Sequence, residues 1–424
     1  MDSIIINGGR KLVGEIDLQG SKNSSLPILA ATVLVNGISV IHNCPELTDV
    51  DAAIKILEHL GCKVKREKNT LTVDSSEITC YNIPQKLMRE MRSSIVFLGS
   101  VLGRKGKATL CAPGGCEIGL RPIDLHLKAL KSMGVSVKET GGEISCRVEN
   151  AIVPSVISLS FPSVGATENI ILAATLSKTR TVIINGAREP EIQDLADFLN
   201  NCGAMIQVRK EGTIIVDGVN SLHGCEHRVI PDRIVALTYM SAVAAAGGNV
   251  IIKNAVASHF LSVIPVFEAA GCIIRSDRNN IQIKMNTRPI AVRDIRTMPY
   301  PGFPTDAQAP VMAMTCVARG TSVIVENIFE SRFKHVNELS KMGAQIKVEG
   351  KVAVIDGVDG LNAAKVQCPD LRGGSALVVA GLAARGVTVI DSVSHIDRGY
   401  EKIEESLKLI GADISRVKNV DSLI

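Results

Sequence analysis

The sequence predicts an α/β protein of two domains, each with three repeated α/β units arranged with pseudo-threefold symmetry around buried central helices. Three observations lead to this prediction. The chain has 424 residues, which is more than one ordinary hydrophobic core accommodates. A short glycine-centred signature occurs six times along it, at intervals of roughly 70 residues. One helix in each interval is apolar on all of its faces, and such a helix is normally buried.

The signature consists of an apolar or small residue, a glycine and a second small or apolar residue, at the end of an amphipathic helix. The glycine stands where a left-handed helix cap is needed. The six occurrences are Leu60-Gly61-Cys62, Met133-Gly134-Val135, Cys202-Gly203-Ala204, Ala270-Gly271-Cys272, Met342-Gly343-Ala344 and Ile410-Gly411-Ala412.

Each unit is predicted to contain a helix, a strand, a second helix and two further strands, with one more strand ahead of the first helix. The first helices are predicted at Ser25–Leu34, Ser93–Leu102, Thr167–Leu176, Ile234–Ala246, Ala309–Ala318 and Gly374–Ala384. The strands after them are predicted at Ile38–Ile41, Ala108–Leu110, Thr181–Ile184, Asn249–Ile252, Thr321–Val325 and Val387–Ile390. In the third unit, Ile192, Leu195 and Leu199 form the apolar stripe of the second helix. Strands at Ile206–Arg209 and Thr213–Val216 complete that unit.

Buried helices surrounded by sheets would invert the arrangement of the common α/β barrel. Dividing the six units equally predicts one domain of residues 21–229 and another of residues 1–20 plus 230–424. The leading segment Ser3–Leu18 has no helix before it, so it is predicted to supply strands that the second domain lacks. A solenoid that serves as a binding scaffold is the alternative, but these units are longer than most solenoid repeats.

Composition excludes several classes of protein. The net charge is +4 with both signs spread along the chain, so there is no basic tract that would indicate nucleic acid binding. Eleven cysteines without a C-x-x-C pair argue against a disulfide framework or a zinc site and predict a reducing, cytoplasmic location. No apolar stretch reaches the roughly 20 residues of a membrane span, and no signal peptide is apparent, so membrane insertion is not expected.

Pro113–His126 is the stretch most suggestive of chemistry. It places Cys116 after two glycines and ahead of Arg121, Asp124 and His126. A glycine-rich turn with a nearby guanidinium favours a thiol of depressed pKa and raised reactivity. An ordinary surface loop with an inert cysteine is the alternative, and this stretch alone does not decide between them.

Several predicted helix starts combine a cation with small polar residues: Lys22, Arg92 and Arg372. Helix N-termini beside cations bind anions, so together these starts favour a small polyanionic substrate in a cleft between the domains. Asp306 is interpreted either as a helix N-cap or as a general base facing that cleft. Ser163 either receives a ligand or caps its helix.

Other polar residues have ordinary interpretations. Asp232 resembles Asp306 in position and is interpreted as structural. His126, His335 and His395 lack the spacing of metal ligands, so ordinary hydrogen bonding is expected for them.

Eight short motifs are spread along the chain: Lys22-Asn23, Pro113–Cys116, Arg121–His126, Pro162–Glu168, Pro301–Asp306, Arg332 ahead of His335, Asp370–Gly374 and His395–Tyr400. Together they resemble the enolpyruvyl transferase family, in particular its members that act on UDP-N-acetylglucosamine. The resemblance runs from Gly20 to about Gly411. It implies the family's fold, an inside-out α/β barrel in two domains of three repeats.

The resemblance implies a reaction at the start of peptidoglycan precursor synthesis, and hence a part in cell wall formation, shape and division. The enolpyruvyl group of phosphoenolpyruvate passes to the 3-hydroxyl of UDP-N-acetylglucosamine by addition and elimination, and phosphate is released. No cofactor and no metal take part. The implied partners are the two substrates, with no nucleic acid and no membrane, in a monomer or weak homo-oligomer.

Residue roles follow from the matching motif positions. Cys116 resembles the general acid that protonates the methylene carbon of phosphoenolpyruvate and that fosfomycin attacks in this family, and Asp306 the group that takes the proton of the sugar hydroxyl. Lys22, Asn23, Arg121 and Arg398 would bind phosphoenolpyruvate, with Lys22 and Arg398 also catalytic, and Arg332 and Arg372 would be further cations of the cleft. The residues expected to bind the nucleotide sugar are Arg92, Arg121, Pro122, Ile123, Asp124, Leu125, Phe161, Pro162, Ser163, Val164, Asp306 and Ile328.

Three other functions stay open from the sequence. A sister enzyme of the same fold uses shikimate 3-phosphate as acceptor, but it has no need of a cysteine-bearing loop. An RNA 3′-phosphate cyclase shares some repeat architecture, yet this chain lacks basic tracts. A catalytically inactive paralogue is the third, and the presence of Lys22, Cys116, Asp306 and Arg398 argues against it.

Overall fold

Six four-stranded sheets run through the described part of the chain, which in this computed structural model comprises residues 2–111 and 123–418. The chain divides into two units, one of residues 20–230 and the other of residues 2–19 with 231–424, within those described ranges. The first is called the central unit below and the second the terminal unit. The boundaries of the central unit, at Gly20 and Ile230, each lie one residue outside the predicted range of 21–229.

The strands alternate with helices along most of the chain. The terminal unit contains β1 (Ser3–Asn7) and β2 (Leu12–Asp17) from the N-terminal segment. The central unit contains β3 (Ile38–His42), β4 (Lys63–Glu67), β5 (Thr70–Asp74), β6 (Asn82–Ile83), β7 (Lys107–Cys111), β8 (Val135–Thr140), β9 (Glu143–Val148), β10 (Ser155–Ser158), β11 (Arg180–Ile184), β12 (Met205–Val208), β13 (Ile214–Asp217) and β14 (Glu226–Arg228). The terminal unit continues with β15 (Gly248–Lys253), β16 (Ile273–Ser276), β17 (Asn280–Met285), β18 (Ile295–Arg296), β19 (Thr321–Val325), β20 (Gln345–Glu349), β21 (Val352–Asp356), β22 (Lys365–Gln367), β23 (Val387–Asp391) and β24 (Asp413–Val417).

The helices follow the same repeat. Those of the central unit are α1 (Lys22–Thr32), α2 (Thr48–Leu60), α3 (Gln85–Glu90), α4 (Phe97–Lys105), α5 (Asp124–Ser132), α6 (Val164–Thr175) and α7 (Pro190–Asn201). Those of the terminal unit are α8 (Arg233–Ala246), α9 (Ile264–Ala269), α10 (Thr305–Thr315), α11 (Val336–Lys341), α12 (Leu371–Ala383) and α13 (Ile403–Leu409). Short 3-10 helices cover Arg92–Val96, Ala257–Phe260 and Val393–Arg398. No helix in the described ranges is long and apolar enough to cross a membrane.

All six sheets share one mixed topology. In the sheet β10-β11-β13-β12, for example, β10 is parallel to β11, while β13 is antiparallel to both β11 and β12. Parallel neighbours need a crossover, and in four of the sheets the buried helix lies between the two parallel strands in sequence, as α6 does between β10 and β11. Antiparallel neighbours such as β12 and β13 follow each other directly in sequence. The fold is therefore α/β, as the repeat predicts, and its sheets are mixed, which the repeat does not specify.

Three of the sheets include a strand that comes from a distant part of the sequence. The N-terminal strand β2 pairs in parallel with β15, and β1 lies between β23 and β24. This confirms that the leading segment completes sheets of the terminal unit. In the central unit the strand parallel to β3 is β14, which comes from the far end of that unit rather than from ahead of α1.

One helix per repeat is buried on nearly all sides, as predicted. In α8, every residue from Arg233 to Ala244 is buried, and α8, α10 and α12 contact one another in the terminal unit. In the central unit α4 contacts both α1 and α6. Close approach requires glycine: a Cβ on Gly99 of α4 would lie 2.4 Å from the carbonyl oxygen of Asn169 in α6.

The glycines of the repeated signature all have positive φ, between 83° and 108°, which confirms the predicted left-handed caps. The strictest case is Gly61, where a Cβ would lie 2.7 Å from the carbonyl oxygen of Glu77. The six amphipathic helices thus all end with a glycine in the left-handed conformation.

Four buried helices begin three or four residues earlier than predicted. They are α1, α6, α10 and α12. The expected starts of α1 and α10, Ser25 and Ala309, lie within two residues of Pro27 and Pro310, and proline is most readily placed in the first helical turn. The structure carries both helices through those prolines. Lys22 and Asp306 consequently lie in the first turns of helices rather than ahead of them. The predicted helix from Ser93 is also wrong at its start, because residues 92–96 form a 3-10 helix before α4.

Candidate active site

Asp306 lies between two buried arginines at the start of α10. Its Oδ1 accepts a hydrogen bond from Arg332 Nη2 at 2.6 Å, and its Oδ2 accepts one from Arg372 Nη2 at 2.9 Å. The arginine side chains are each 5% exposed, whereas that of Asp306 is 28% exposed. The N-cap of α10 is Pro304, so the interpretation of Asp306 as a cap is wrong. Two adjacent guanidinium groups thus supply the positive charge opposite this partly accessible carboxylate.

Arg372 is oriented by several neighbours. Its helix α12 begins with Asp370, whose Oδ1 accepts hydrogen bonds from the backbone N–H groups of Arg372 and Gly373, both at 2.9 Å. The guanidinium donates to the hydroxyl of Tyr400 at 3.4 Å, and that hydroxyl lies 2.7 Å from Thr238 Oγ1 in α8. Burial lowers the pKa of Arg372, but the charge of Asp306, whose carboxylate also accepts a hydrogen bond from Arg372, contributes to outweighing this effect, and the net pKa is raised. Arg372 therefore remains a cation in a nearly dry site.

Glu326 fixes the segment that leads into Arg332, and sequence reasoning missed it. The residue is 1% exposed and follows β19 directly. Its Oε1 accepts hydrogen bonds from Thr297 Oγ1 at 2.9 Å and from the N–H groups of Ile328 and Phe329 at 2.8 and 3.0 Å. Its Oε2 accepts one from Thr305 Oγ1 at 2.9 Å. Glu326 thus ties Ile328, a predicted sugar-nucleotide contact, to the first residue of α10, beside Asp306. A carboxyl group directly after a buried strand was the available signal.

His335 lies fully buried next to this cluster. Neither ring nitrogen meets a partner at strict hydrogen-bond geometry, but the backbone of Arg332 still acts on the ring as a hydrogen-bond partner, so the expectation of ordinary hydrogen bonding stays a prediction for His335. Burial lowers the pKa of His335 to about 4; Asp370 opposes this shift and the Arg332 guanidinium adds to it. The ring is therefore neutral at neutral pH.

This shift predicts how acid affects stability. Because protonation of His335 is easier in the unfolded chain, the unfolded state binds more protons below about pH 6.5, and stability falls as the pH drops towards about 4. We expect His335→Asn to remove up to roughly 3 kcal/mol of the fall in unfolding free energy over that range. Urea unfolding at a series of pH values measures it, with His223→Asn at an exposed position as the control. Identical pH profiles for wild type and His335→Asn would contradict the prediction.

Arg398 is the last residue of the 3-10 helix Val393–Arg398 and is half-buried. The neighbouring Asp397 is held from β24 by Arg416, whose two terminal nitrogens donate to its carboxylate at 3.0 and 2.6 Å. Arg416 also donates to Glu404 at 2.8 Å. The hydrogen bond to Asp397 is the main cause that raises the pKa of Arg416. This network holds the segment that carries Arg398.

Lys22 occupies the first position of α1 in the central unit. Its Nζ lies 3.0 Å from Oδ2 of Asp49 in the first turn of α2, and both residues are buried. Asn23 follows and is half-buried. A buried ammonium needs such a counter-charge, which also restricts where the Lys22 side chain can point.

A second buried carboxylate, also missed from the sequence, anchors the start of α1. Asp194 in α7 accepts hydrogen bonds on Oδ2 from Ser24 Oγ and from the backbone N–H of Ile230, the latter at 3.2 Å. Its Oδ1 lies 2.9 Å from Nε2 of His227 in β14. Asp194 therefore joins α1 to the strand that leaves the central unit.

Asn169 brings together three segments that were predicted to bind the nucleotide sugar. It is fully buried in α6, and its Nδ2 donates to the carbonyl of Ile95 at 3.1 Å and of Gly165 at 3.3 Å. The same Nδ2 lies 2.9 Å from Nδ1 of His126, while Oδ1 accepts from Gly99 N at 2.6 Å. The 3-10 helix that starts at Arg92, the first turn of α5 and the first turn of α6 therefore meet at one side chain. An asparagine directly ahead of the apolar run Ile170–Ala174 was the overlooked signal.

The other predicted residues of the central unit have plainer positions. Ser163 caps α6 by accepting from Ala166 N at 3.3 Å, which bears out the capping alternative. Phe161 is 42% exposed, and Pro162 and Val164 are half-buried. In the terminal unit, Asp232 caps α8 through the N–H groups of Ile234 and Val235, so its structural interpretation is confirmed.

The cysteine-bearing stretch Pro113–His126 falls mostly outside the described residues. Cys116, Arg121 and Pro122 lie there, and the structure resumes at Ile123, the N-cap of α5, followed by Asp124 and Leu125. Within residues 2–111 and 123–418, no group of three or more His, Cys, Asp or Glu side chains is arranged to hold a metal ion.

Comparison with known proteins identifies the class. A sequence model described as EPSP synthase (3-phosphoshikimate 1-carboxyvinyltransferase) matches residues 6–407. The enolpyruvyl transferase NikO from Streptomyces tendae is similar in structure, with a TM-score of 0.89 at 23% identity over 99% of both chains. The EPSP synthase from Acinetobacter baumannii superposes with a TM-score of 0.75 at 16% identity, over 99% of this chain and 100% of that chain. The fold is thus that of the enolpyruvyl transferases.

Similarity in sequence shows which family of enolpyruvyl transferases the chain belongs to. A protein named UDP-N-acetylglucosamine 1-carboxyvinyltransferase 2, from Caldanaerobacter subterraneus subsp. tengcongensis, is 51% identical over 417 residues, which cover 98% of this chain and all of the relative. The UDP-N-acetylglucosamine 1-carboxyvinyltransferase of Endomicrobium trichonymphae is 45% identical over 421 residues, 99% of this chain and 100% of the relative. The chain belongs to the UDP-N-acetylglucosamine 1-carboxyvinyltransferase family of enolpyruvyl transferases.

Proposed function

We propose that this protein transfers the enolpyruvyl group of phosphoenolpyruvate to the 3-hydroxyl of UDP-N-acetylglucosamine and releases phosphate. Family membership at full length is the observation that carries the proposal. The reaction is the first committed step of peptidoglycan precursor synthesis. We further propose that each unit is an inside-out α/β barrel of three repeats, and that residues of both units serve this one reaction.

In the terminal unit, Asp306 takes the proton of the sugar hydroxyl as that oxygen attacks C2 of phosphoenolpyruvate. A base between two guanidinium groups is ionised but only weakly basic. The anionic substrates compete for Arg332 and Arg372, and loss of either ion pair strengthens Asp306 as a base at the moment it is needed. Arg398 binds the phosphate or carboxylate group of phosphoenolpyruvate.

In the central unit, Lys22, Asn23 and Arg121 bind phosphoenolpyruvate. The Asp49 carboxylate orients the Lys22 ammonium towards it, so the cation is placed before the substrate arrives. Cys116 protonates the methylene carbon of phosphoenolpyruvate. The tetrahedral intermediate that results then loses phosphate together with a proton of the new methyl group, which restores the double bond on the product.

The nucleotide sugar lies along the segments that Asn169 joins. Arg92 and Arg121 neutralise its diphosphate, and Asp124, Leu125, Phe161 and Ser163 line its path, with Ile328 and Asp306 contributed by the terminal unit. The full set proposed for this substrate is Arg92, Arg121, Pro122, Ile123, Asp124, Leu125, Phe161, Pro162, Ser163, Val164, Asp306 and Ile328.

We also propose a cytoplasmic location. The ten described cysteines are all free thiols, and cytoplasmic proteins keep their thiols reduced. Substrate and location agree, because nucleotide-activated sugars are handled inside the cell in such a synthesis.

Phosphate release from phosphoenolpyruvate tests the proposal. With UDP-N-acetylglucosamine as acceptor, we expect turnover by the wild type and a loss of about 10²–10⁴-fold in Cys116→Ala, because a positioned proton donor contributes that much. Thermal unfolding of both proteins controls for folding. Turnover with Cys116→Ala equal to that of the wild type would remove the thiol from the mechanism.

Shikimate 3-phosphate is the second candidate acceptor, because the family model that spans the chain carries the description of that activity. The same assay with shikimate 3-phosphate separates the two. Turnover with shikimate 3-phosphate and none with the nucleotide sugar would overturn the proposed function.

A further inference from the structure

Two cysteines of the central unit face each other far along the chain from Cys116. Cys202 follows α7 as its C-cap, and Cys225 directly precedes β14. Their sulfur atoms are 3.3 Å apart, and both thiols are free. The S–S bond length is about 2.05 Å, so closing a disulfide requires an approach of roughly 1.3 Å.

The backbone holds the two cysteines in this position. The N–H of His223 donates to the carbonyl of Cys202 at 3.0 Å, and the N–H of Val40 in β3 donates to the carbonyl of Cys225 at 2.9 Å. Gly224, between them in sequence, packs so tightly that a Cβ would lie 1.8 Å from the carbonyl oxygen of Ile38. The encounter of the two sulfur atoms is therefore built into the packing of the loop.

The two thiols differ in ways that suit an attacking and a resolving cysteine. Cys225 is partly exposed, whereas Cys202 is completely buried. The hydrogen bond from Cys202 lowers the pKa of Cys225 against the effect of burial, and His227 and His223 lower it further. The same hydrogen bond, with burial, raises the pKa of Cys202. Thiolate character and access thus coincide on Cys225.

Other described thiols contrast with this pair. Cys62 is buried, its Sγ lies 3.4 Å from Ser75 Oγ, and burial raises its pKa. Burial likewise raises the pKa of Cys272, to about 12. Such protonated, enclosed thiols react slowly with oxidants.

We propose that Cys202 and Cys225 form a reversible disulfide when the protein meets hydrogen peroxide. The Cys225 thiolate attacks a peroxide oxygen, the O–O bond breaks, and Cys225 becomes a sulfenic acid. The displaced hydroxide takes up the proton that the Cys225 thiol lost on ionisation and leaves as water. The Cys202 sulfur then attacks the Cys225 sulfur, the S–O bond breaks, and hydroxide leaves with the Cys202 proton as a second water. The two thiols are oxidised by two electrons in total while one peroxide is reduced, and a dithiol reverses the change.

Formation of the disulfide would change how firmly β14 is attached to α7. The disulfide would bind the start of this strand covalently to the end of α7, and the strand's His227 contacts Asp194 of the same helix. Cross-linking residues this far apart in sequence restricts the unfolded chain and stabilises the fold. The site thus acts on the stability of the central unit and is independent of the proposed transferase reaction.

Peptide mapping after oxidation tests the proposal. Reduced protein is treated with equimolar hydrogen peroxide, its remaining thiols are alkylated, and a digest is analysed by mass spectrometry. We expect a peptide pair linked through Cys202 and Cys225 that dithiothreitol separates, together with a higher Tm of the oxidised protein. Cys225→Ser should abolish both changes, and the matched control Cys62→Ser should leave them intact.

Two outcomes would overturn it. In one, both cysteines are recovered alkylated after peroxide treatment. In the other, Cys225 is recovered as sulfinic acid or linked to a different cysteine. Because the measurement follows covalent linkage in the wild-type protein, neither the transferase assay nor the folding of a variant decides it.

Discussion

Replacing Asp306 by asparagine is expected to lower turnover with UDP-N-acetylglucosamine about 10²–10⁴-fold, the usual contribution of a positioned general base. The amide cannot accept the proton of the sugar hydroxyl. It also turns an N–H₂ group towards one of two buried guanidinium donors, which leaves a cation without its counter-charge. The measurement is the initial rate of phosphate release at saturating concentrations of both substrates.

Folding has to be measured alongside this rate. We expect Asp306→Asn to lower the Tm, because a buried cation left unpaired is destabilising. Asp217→Asn is the matched control, since Asp217 also binds an arginine, Arg180, at 2.6 Å but at the protein surface. Its turnover should equal that of the wild type. If folded Asp306→Asn also retains wild-type turnover, Asp306 is not the base.

Replacing Glu326 by alanine is expected to reduce the free energy of unfolding by roughly 3–5 kcal/mol. The N–H groups of Ile328 and Phe329 and the hydroxyls of Thr297 and Thr305 lose their acceptor inside the protein. Each buried donor left unsatisfied costs about 1–3 kcal/mol, and the hydroxyls can turn to other acceptors while the N–H groups cannot. Chemical denaturation with urea measures the change.

The glutamine variant sharpens this prediction. Three of the four donors meet at Oε1, which an amide oxygen can replace. The amide N–H₂ would take the place of Oε2 and donate to the Thr305 hydroxyl, which can accept as well as donate. We therefore expect Glu326→Gln to cost only about 1 kcal/mol. Equal losses in the alanine and glutamine variants would contradict the hydrogen-bond assignment.

Local patterns account for the parts of the fold that were predicted well. The six glycine caps, the apolar helices and the order of elements each depend on residues within one unit, so helical periodicity and backbone stereochemistry reveal them. The strand predicted at Thr321–Val325 agrees with β19 residue for residue. The starts of α1 and α10 were placed too late, because surrounding contacts, not local preference, decide whether a helix continues through Pro27 or Pro310.

The candidate site, like the fold, has parts that local sequence indicates and parts that depend on contacts between residues distant in sequence. The motifs around Lys22, Asp306, Arg332, Arg372 and Arg398 are visible in the sequence and indicate an anionic substrate. Their partners are distant in sequence. Asp306 meets Arg372 across 66 residues, and Ser24 meets Asp194 across 170. No periodicity relates such positions.

The sequence by itself determined the repeat, the α/β class and the family, because these depend on local stereochemistry and on motifs; the reactive side chains that it indicates remain predictions. Only the tertiary structure decided that Asp306 lies between two guanidinium groups instead of capping a helix, and that Glu326, Asp194 and Asn169 hold the segments around it and around Lys22. The physical reason is that burial gives each of these polar groups a cost that specific partners must offset, and packing alone selects those partners.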